Sequence, residues 1–266
     1  MRTQLEKAEK IVIKVGTNTL THENGKMNLK SMELLVREIA ELTNKGKKVI
    51  LVTSGAVGVG LGKLNINRKP KNLIERQILS AVGQCELMHI YSKLFSEYSI
   101  TVGQILLTRD VTENPVKAEN AYNSFKGLLN MGIVPIVNEN DAISTDQLAI
   151  VDSFGDNDTL SAMVAKLIGA DLLIILSNID GLYNKDPNEN SDAHIIDIVT
   201  DIDDKIESYA SDLISSLGRG GMKTKLSAAK TCLENNIKMA IINGNNMKNI
   251  SSLLDGENIG TLFTRK

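Results

Sequence analysis

Lys14 stands inside the otherwise apolar run Ile11–Val15 and is followed by Gly16. An ammonium group there is costly to bury, unless it meets an anion at the end of a strand or snorkels at a sheet edge. A second run ends in Thr53-Ser54-Gly55-Ala56. A Ser-Gly turn that opens a helix presents free N–H groups and a positive dipole end, which suits a carboxylate or phosphate; a plain helix cap has the same composition. The phosphate loop pattern GxxxxGK[ST] is absent. A third run ends in Asn138-Glu139-Asn140-Asp141, and Phe154-Gly155-Asp156-Asn157-Asp158 follows after a polar loop. These acids and amides could hold an ammonium, a metal-bound phosphate or another side chain, or form only Asx turns and caps. A fourth run ends in Ser177-Asn178. Downstream, Arg219-Gly220-Gly221-Met222-Lys223-Thr224-Lys225 opens another helix. Adjacent glycines followed by lysines at a helix start can wrap a polyphosphate. His22, His89 and His194 show no metal-ligand or triad spacing.

Short β-branched runs must position these groups. They are Ile11–Val15, Lys48–Thr53, Ile100–Leu107, Ile133–Asn138, Leu172–Ser177 and Lys238–Ile242, with a strand-like Thr261–Phe263 near the end. Runs apolar throughout suit strands covered on both faces. Between the first two, Met32, Leu35, Val36, Ile39 and Leu42 share one helical face, with Asn28 as N-cap and Gly46 as C-cap. Helices are also expected over Lys71–Tyr98, Asn120–Met131, Asp158–Gly169 and Thr224–Asn235. Alternating strands and helices predict an α/β three-layer αβα sandwich around a mostly parallel central sheet. Ligands in such folds bind beyond the carboxyl ends of the strands.

The 266 residues are read as one domain with two lobes, about 1–165 and about 166–266. Aromatics are 3% and Trp is absent, which leaves little for stacking single-stranded nucleic acid. A net charge of −2 offers no basic field for nucleic acid or anionic lipid. The charged N-terminus has no apolar targeting segment, and no run reaches a membrane span. A cytoplasmic protein is expected, with Cys85 and Cys232 as buried free thiols.

Taken in order, IVIKVGTNTL from residue 11, TSGAVGVG, GQILLT, VPIVNENDAI, FGDNDTLSA, DGLY, GGMKTKLSAA and GTLF from residue 260 resemble the amino acid kinase family. The pairing of NEND with FGDND is similar to the glutamate-phosphorylating branch. It is not shared by the acetylglutamate, aspartate, carbamate and uridylate kinases of the same fold. The resemblance implies ATP-dependent phosphorylation of the side-chain carboxylate of glutamate, the first step of proline synthesis, with Mg²⁺ on the nucleotide.

It further implies that Lys14 and Lys225 contact the transferring phosphoryl group and that Asp158 orients them. Ser54, Asn138, Asp141 and Asn157 match glutamate-binding positions in the N-terminal lobe. Lys14, Ser177, Asn178 and Arg219, Gly220, Gly221, Met222, Lys223, Thr224 and Lys225 match nucleotide-binding positions. Ser177-Asn178 departs from the family's frequent Thr-Asp, and Arg219 from its common Thr. The resemblance also implies a dimer or tetramer, feedback inhibition by proline through the Glu139–Asp156 loop, and a downstream glutamyl phosphate reductase as partner. A short form without the family's C-terminal PUA module is expected. A kinase of another small acid such as aspartate, or a non-catalytic sensor of amino acid or nucleotide, remains open at this point.

Overall fold

A computed structural model describes residues 2–22, 26–111, 113–143, 157–212 and 221–265. In chain order these hold β1 (Lys10–Val15), α1 (Thr17–Leu20), α2 (Leu29–Asn44), β2 (Lys48–Val52), α3 (Ala56–Lys63) and α4 (Leu73–Ser96). There follow β3 (Val102–Leu107), α5 (Pro115–Asn130), β4 (Val134–Glu139), α6 (Asn157–Ile168) and β5 (Leu172–Ser177). Last come β6 (Ile198–Val199), α7 (Asp204–Asp212), α8 (Met222–Glu234), β7 (Lys238–Asn243), α9 (Asn249–Leu254) and β8 (Thr261–Phe263). The chain divides into two compact units, Val15–Phe154 and Met1–Lys14 with Gly155–Lys266.

In the first unit the strands run β3-β4-β2, all parallel. β4 is buried from Val134 to Asn138, as its unbroken apolar sequence requires. α2 lays down the anticipated stripe: Met32, Leu35, Val36, Ile39 and Leu42 are all buried. Each such side chain contributes about 1.5–3 kcal/mol when taken out of water. Asn28 caps it by accepting from the Ser31 N–H at 3.2 Å, and Gly46 takes a left-handed φ of 81° just beyond its end.

α3 and α4 cross with their backbones almost touching. A Cβ at Gly83 would lie 1.8 Å from the Ala56 carbonyl oxygen, and one at Gly60 would lie 2.0 Å from that of Leu79. Only hydrogen fits at these two positions. The contact fixes where α3 starts, and therefore the turn that precedes it.

In the second unit β1, β5, β7, β8 and β6 lie side by side in that order. β5 and β7 are parallel, β7 and β8 antiparallel, and β8 and β6 parallel. Every residue of β5 is buried. α6 packs on β5, and α8 on β7. The expected mostly parallel α/β class is thus the observed one, with β8 and its parallel neighbour β6 running against β5 and β7.

Cys232 lies in the core of α8, where burial pushes its thiol up to about 12. Cys85, read from sequence as buried, is exposed on α4, because its helical position turns it away from the face that packs. An aromatic disulfide reagent at pH 8 should therefore titrate one thiol in the folded protein and the second only in denaturant. Two thiols reacting at similar rates under native conditions would contradict this. Among the described residues, no helix is long and apolar enough to cross a membrane.

Candidate active site

Lys14 projects from the end of β1, Asp158 from the first turn of α6, and Lys225 from the first turn of α8. The fold brings all three together. Lys14 Nζ lies 2.6 Å from Asp158 Oδ1, an ion pair by distance. Lys225 Nζ donates to Asp158 Oδ2 at 3.0 Å. Thr224 Oγ1 donates to the same oxygen at 3.2 Å. Asp158 is fully buried, and Lys14 and Lys225 are only 5% and 6% exposed. Buried charges persist only when paired and hydrogen-bonded. Two ammonium groups on one carboxylate give this trio a net positive charge, and such a cluster attracts a further anion. The lysines sit where helix N-termini add their own positive ends.

Around the trio, Asn157 is buried beside Asp158 in the chain, and Met222 is buried at the start of α8. Gly221 is the N-cap of α8 with no side-chain cap, and Lys223 is exposed. Arg219 and Gly220 lie outside the described residues. Ser177 ends β5 and Asn178 follows it, with the Ser177 hydroxyl 3.5 Å from Asn178 Oδ1. In the β5–β7 register Ser177 stands opposite Asn243, and the Gly244 N–H donates to the Ser177 carbonyl at 2.7 Å.

Three residues given no role from sequence join these strand ends. Asn243 Nδ2 donates to Asp180 Oδ1 at 2.7 Å, and Tyr183 OH donates to Asp180 Oδ2 at 3.0 Å. Asp180 and Tyr183 lie in the DGLY stretch, which marked the place without giving either a role. Among the described residues, no three His, Cys, Asp or Glu side chains converge as a metal cage.

The other unit holds Ser54, Asn138 and Asp141. Ser54 follows β2, and the turn closes on Gly55, whose φ of 96° demands glycine. The residue before it is anchored: Thr53 Oγ1 and Tyr91 OH are hydrogen-bonded at 2.9 Å in the core. Burial raises the Tyr91 hydroxyl well above its ordinary value, so it stays neutral. Asn138 is buried at the end of β4, and its Oδ1 accepts from the Glu139 N–H at 2.9 Å. Asp141 pairs with Arg76 of α4 at 3.3 Å. Asn138 Nδ2 donates to Gln84 Oε1 at 2.8 Å. Arg76 and Gln84 carry no motif in the sequence.

A cavity of about 380 Å³ opens beside these groups, lined by Ser80, Gln84, Gln104, Glu139 and Asp141 among others. That volume suits a small metabolite.

Residues 9–243 match the model of the amino acid kinase family. Over its whole length the chain is 52% identical to glutamate 5-kinase of Clostridium perfringens, covering 99% of that protein. It is 50% identical to glutamate 5-kinase of Listeria monocytogenes, again over all of this chain and 96% of the relative. Glutamate 5-kinase of Clostridium acetobutylicum is 50% identical over 98% of this chain and 97% of its own. Among solved structures, UMP kinase from Bacillus anthracis aligns with a TM-score of 0.63 at 16% identity, covering 97% of this chain and 96% of that one. Isopentenyl phosphate kinase from T. acidophilum gives 0.63 at 16% identity, covering 96% and 99%. At that identity these two structures share the fold.

Proposed function

The chain belongs to the amino acid kinase family, and we propose that within it the protein acts as a glutamate 5-kinase, phosphorylating the side-chain carboxylate of L-glutamate with ATP. The observation that carries the chemistry is the buried meeting of Lys14 and Lys225 on Asp158. The choice of glutamate is supported by the full-length similarity to three glutamate 5-kinases and by the NEND and FGDND stretches. The product enters proline synthesis.

A carboxylate is already a nucleophile, so the reaction needs no general base. One side-chain oxygen of glutamate attacks the γ-phosphorus of ATP. The bond from that phosphorus to the β,γ-bridging oxygen breaks, and ADP leaves with the electron pair. Such a transfer depends on positioning and on stabilising charge over the moving PO₃ unit. Lys14 and Lys225 supply that charge, and Asp158 holds both ammonium groups in place. Mg²⁺ would come in with the nucleotide and would supply neutralisation of its phosphate charge. The paired lysines fit a metal that arrives on the phosphates rather than in a protein cage.

We assign Ser54, Asn138, Asp141 and Asn157 to glutamate. Its two carboxylates suit the donors of the Ser54 turn, and its ammonium suits Asp141. Ser177, Asn178 and Arg219–Lys225 are assigned to ATP. Proline inhibition through residues 139–156, assembly into dimers or tetramers, a cytoplasmic location and hand-over to a reductase belong to the same reading. The acyl phosphate product favours such a hand-over, because its own amine can attack it.

An ADP-release assay with ATP, Mg²⁺ and a panel of amino acids tests the reading, with hydroxylamine present to trap acyl phosphate. Release should depend on glutamate and be matched by hydroxamate. Release that is indifferent to glutamate, or that yields no hydroxamate, would remove the activity. Preference for aspartate would move the assignment to another acid.

A further inference from the structure

Gln84 lies on α4, outside every motif of the sequence, and its amide is oriented by the main chain. The Glu139 backbone N–H can only donate, and it donates to the Asn138 side chain at 2.9 Å. The atom receiving that bond must be Oδ1, so the Asn138 atom facing Gln84 is the amide nitrogen. That nitrogen donates at 2.8 Å, so the Gln84 atom receiving it must be Oε1. Reversing either amide would set donor against donor. Gln84 Nε2 is thereby turned away from Asn138.

This remaining donor is buried, and among the described residues it has no hydrogen-bond partner. Gln84 as a whole is 8% exposed. A buried amide donor left unsatisfied is unfavourable, and native structures retain few of them. Here the side chain lines the cavity of about 380 Å³ that is also lined by Glu139, Asn140 and Asp141. The unsatisfied donor and the cavity adjoin the segment assigned above to the amino acid.

We propose that Gln84 is a specificity-determining residue for the amino-acid substrate, its Nε2 donating a hydrogen bond to a substrate carboxylate oxygen. The proposal rests on the glutamate reading and deepens it. Asn138 acts as the relay: main chain orients Asn138, Asn138 orients Gln84, and Gln84 presents a donor of fixed direction. A carboxylate accepts this bond, while an ammonium at the same place meets a second donor and is rejected.

Two variants separate this role from simple support of Asn138. Gln84→Glu keeps an acceptor for Asn138 Nδ2 and replaces the outward donor with a carboxylate oxygen. Gln84→Met keeps the length and removes both polar atoms. The expected results are a KM for glutamate raised roughly 10–100-fold in each, and a KM for ATP within about threefold of wild type. A protonated carboxyl can still donate, so the Gln84→Glu defect should also ease as pH is lowered, which a purely structural role would not produce.

If Gln84→Glu binds glutamate like wild type while Gln84→Met alone is impaired, Gln84 only supports Asn138 and the proposal is overturned. Thermal unfolding of both variants identifies a folding failure. In that event Gln84→Leu, assayed in the same way, carries the decision. A wild-type protein with no glutamate-dependent ADP release overturns the kinase reading instead, and the Gln84 assignment to glutamate falls with it.

Discussion

Replacing Asp158 with alanine is expected to destabilise the fold by about 3–5 kcal/mol and to slow turnover by at least roughly 10²-fold. Both effects follow from one geometry. The carboxylate is fully buried, and it is shared by two ammonium groups that are themselves 5% and 6% exposed. Removing it leaves two buried like charges without the anion between them. Breaking a buried pair from one side costs far more than any exposed pair contributes. For a chain of this size the loss corresponds to a fall in melting temperature on the order of 10 °C. Asp158→Asn separates the two effects. Its amide oxygen can still accept from one lysine, so stability should fall less, while the lost charge still leaves the lysines poorly placed. Thermal unfolding and single-turnover rates, measured on both variants, provide the check. An alanine variant as stable as wild type would mean that the trio is not a buried charge cluster.

The strands were legible because burial on both faces writes itself as unbroken apolar sequence. Leu172–Ser177 was read with its final boundaries, and Lys14 stood out by interrupting such a run. α2 was legible through one apolar stripe and an Asn cap. α7 was not, because DKIESYASD is short and mostly polar, and among its described side chains only Ala210 is buried. β6 has two residues and no periodicity to read. Three glycines in AVGVGLGK weigh against a helix, yet α3 forms where the Ser54-Gly55 turn is expected to open one. The cost of glycine there is offset by tertiary packing, since Gly60 and Gly83 let the two helix backbones meet.

The site divides in the same way. Individual residues were conspicuous, but their pairing was supplied by the family resemblance rather than by spacing. Lys225 is 67 residues from Asp158, and no periodicity links them. Gln84 and Asn138, 54 apart, and Asp180 and Asn243, 63 apart, had neither a motif nor a resemblance to join them. Hydrogen-bond partners across a tertiary contact leave no local trace, which is why these four side chains were recognised together only in three dimensions.

Lys14→Ala and Lys225→Ala should each lower kcat by roughly 10²–10³-fold, by analogy with the loss of one preorganised donor to a developing charge. Stability should respond quite differently from Asp158→Ala. In either lysine variant Asp158 keeps the other lysine, so its charge remains balanced, and the expected cost is about 2 kcal/mol or less. Large kinetic loss with small thermal loss is the signature of groups held for the transition state. The double variant should fall short of the product of the single effects, because both lysines are proposed to act on the same PO₃ unit and both pair with the same carboxylate. Arginine should restore little at Lys14. A planar guanidinium cannot take the place of a compact ammonium 2.6 Å from a fully buried oxygen. Single-turnover kinetics at saturating ATP and glutamate separate these losses from weaker binding. If either alanine variant retained wild-type turnover, that lysine would have no part in phosphoryl transfer, and its burial against Asp158 would be a matter of folding alone.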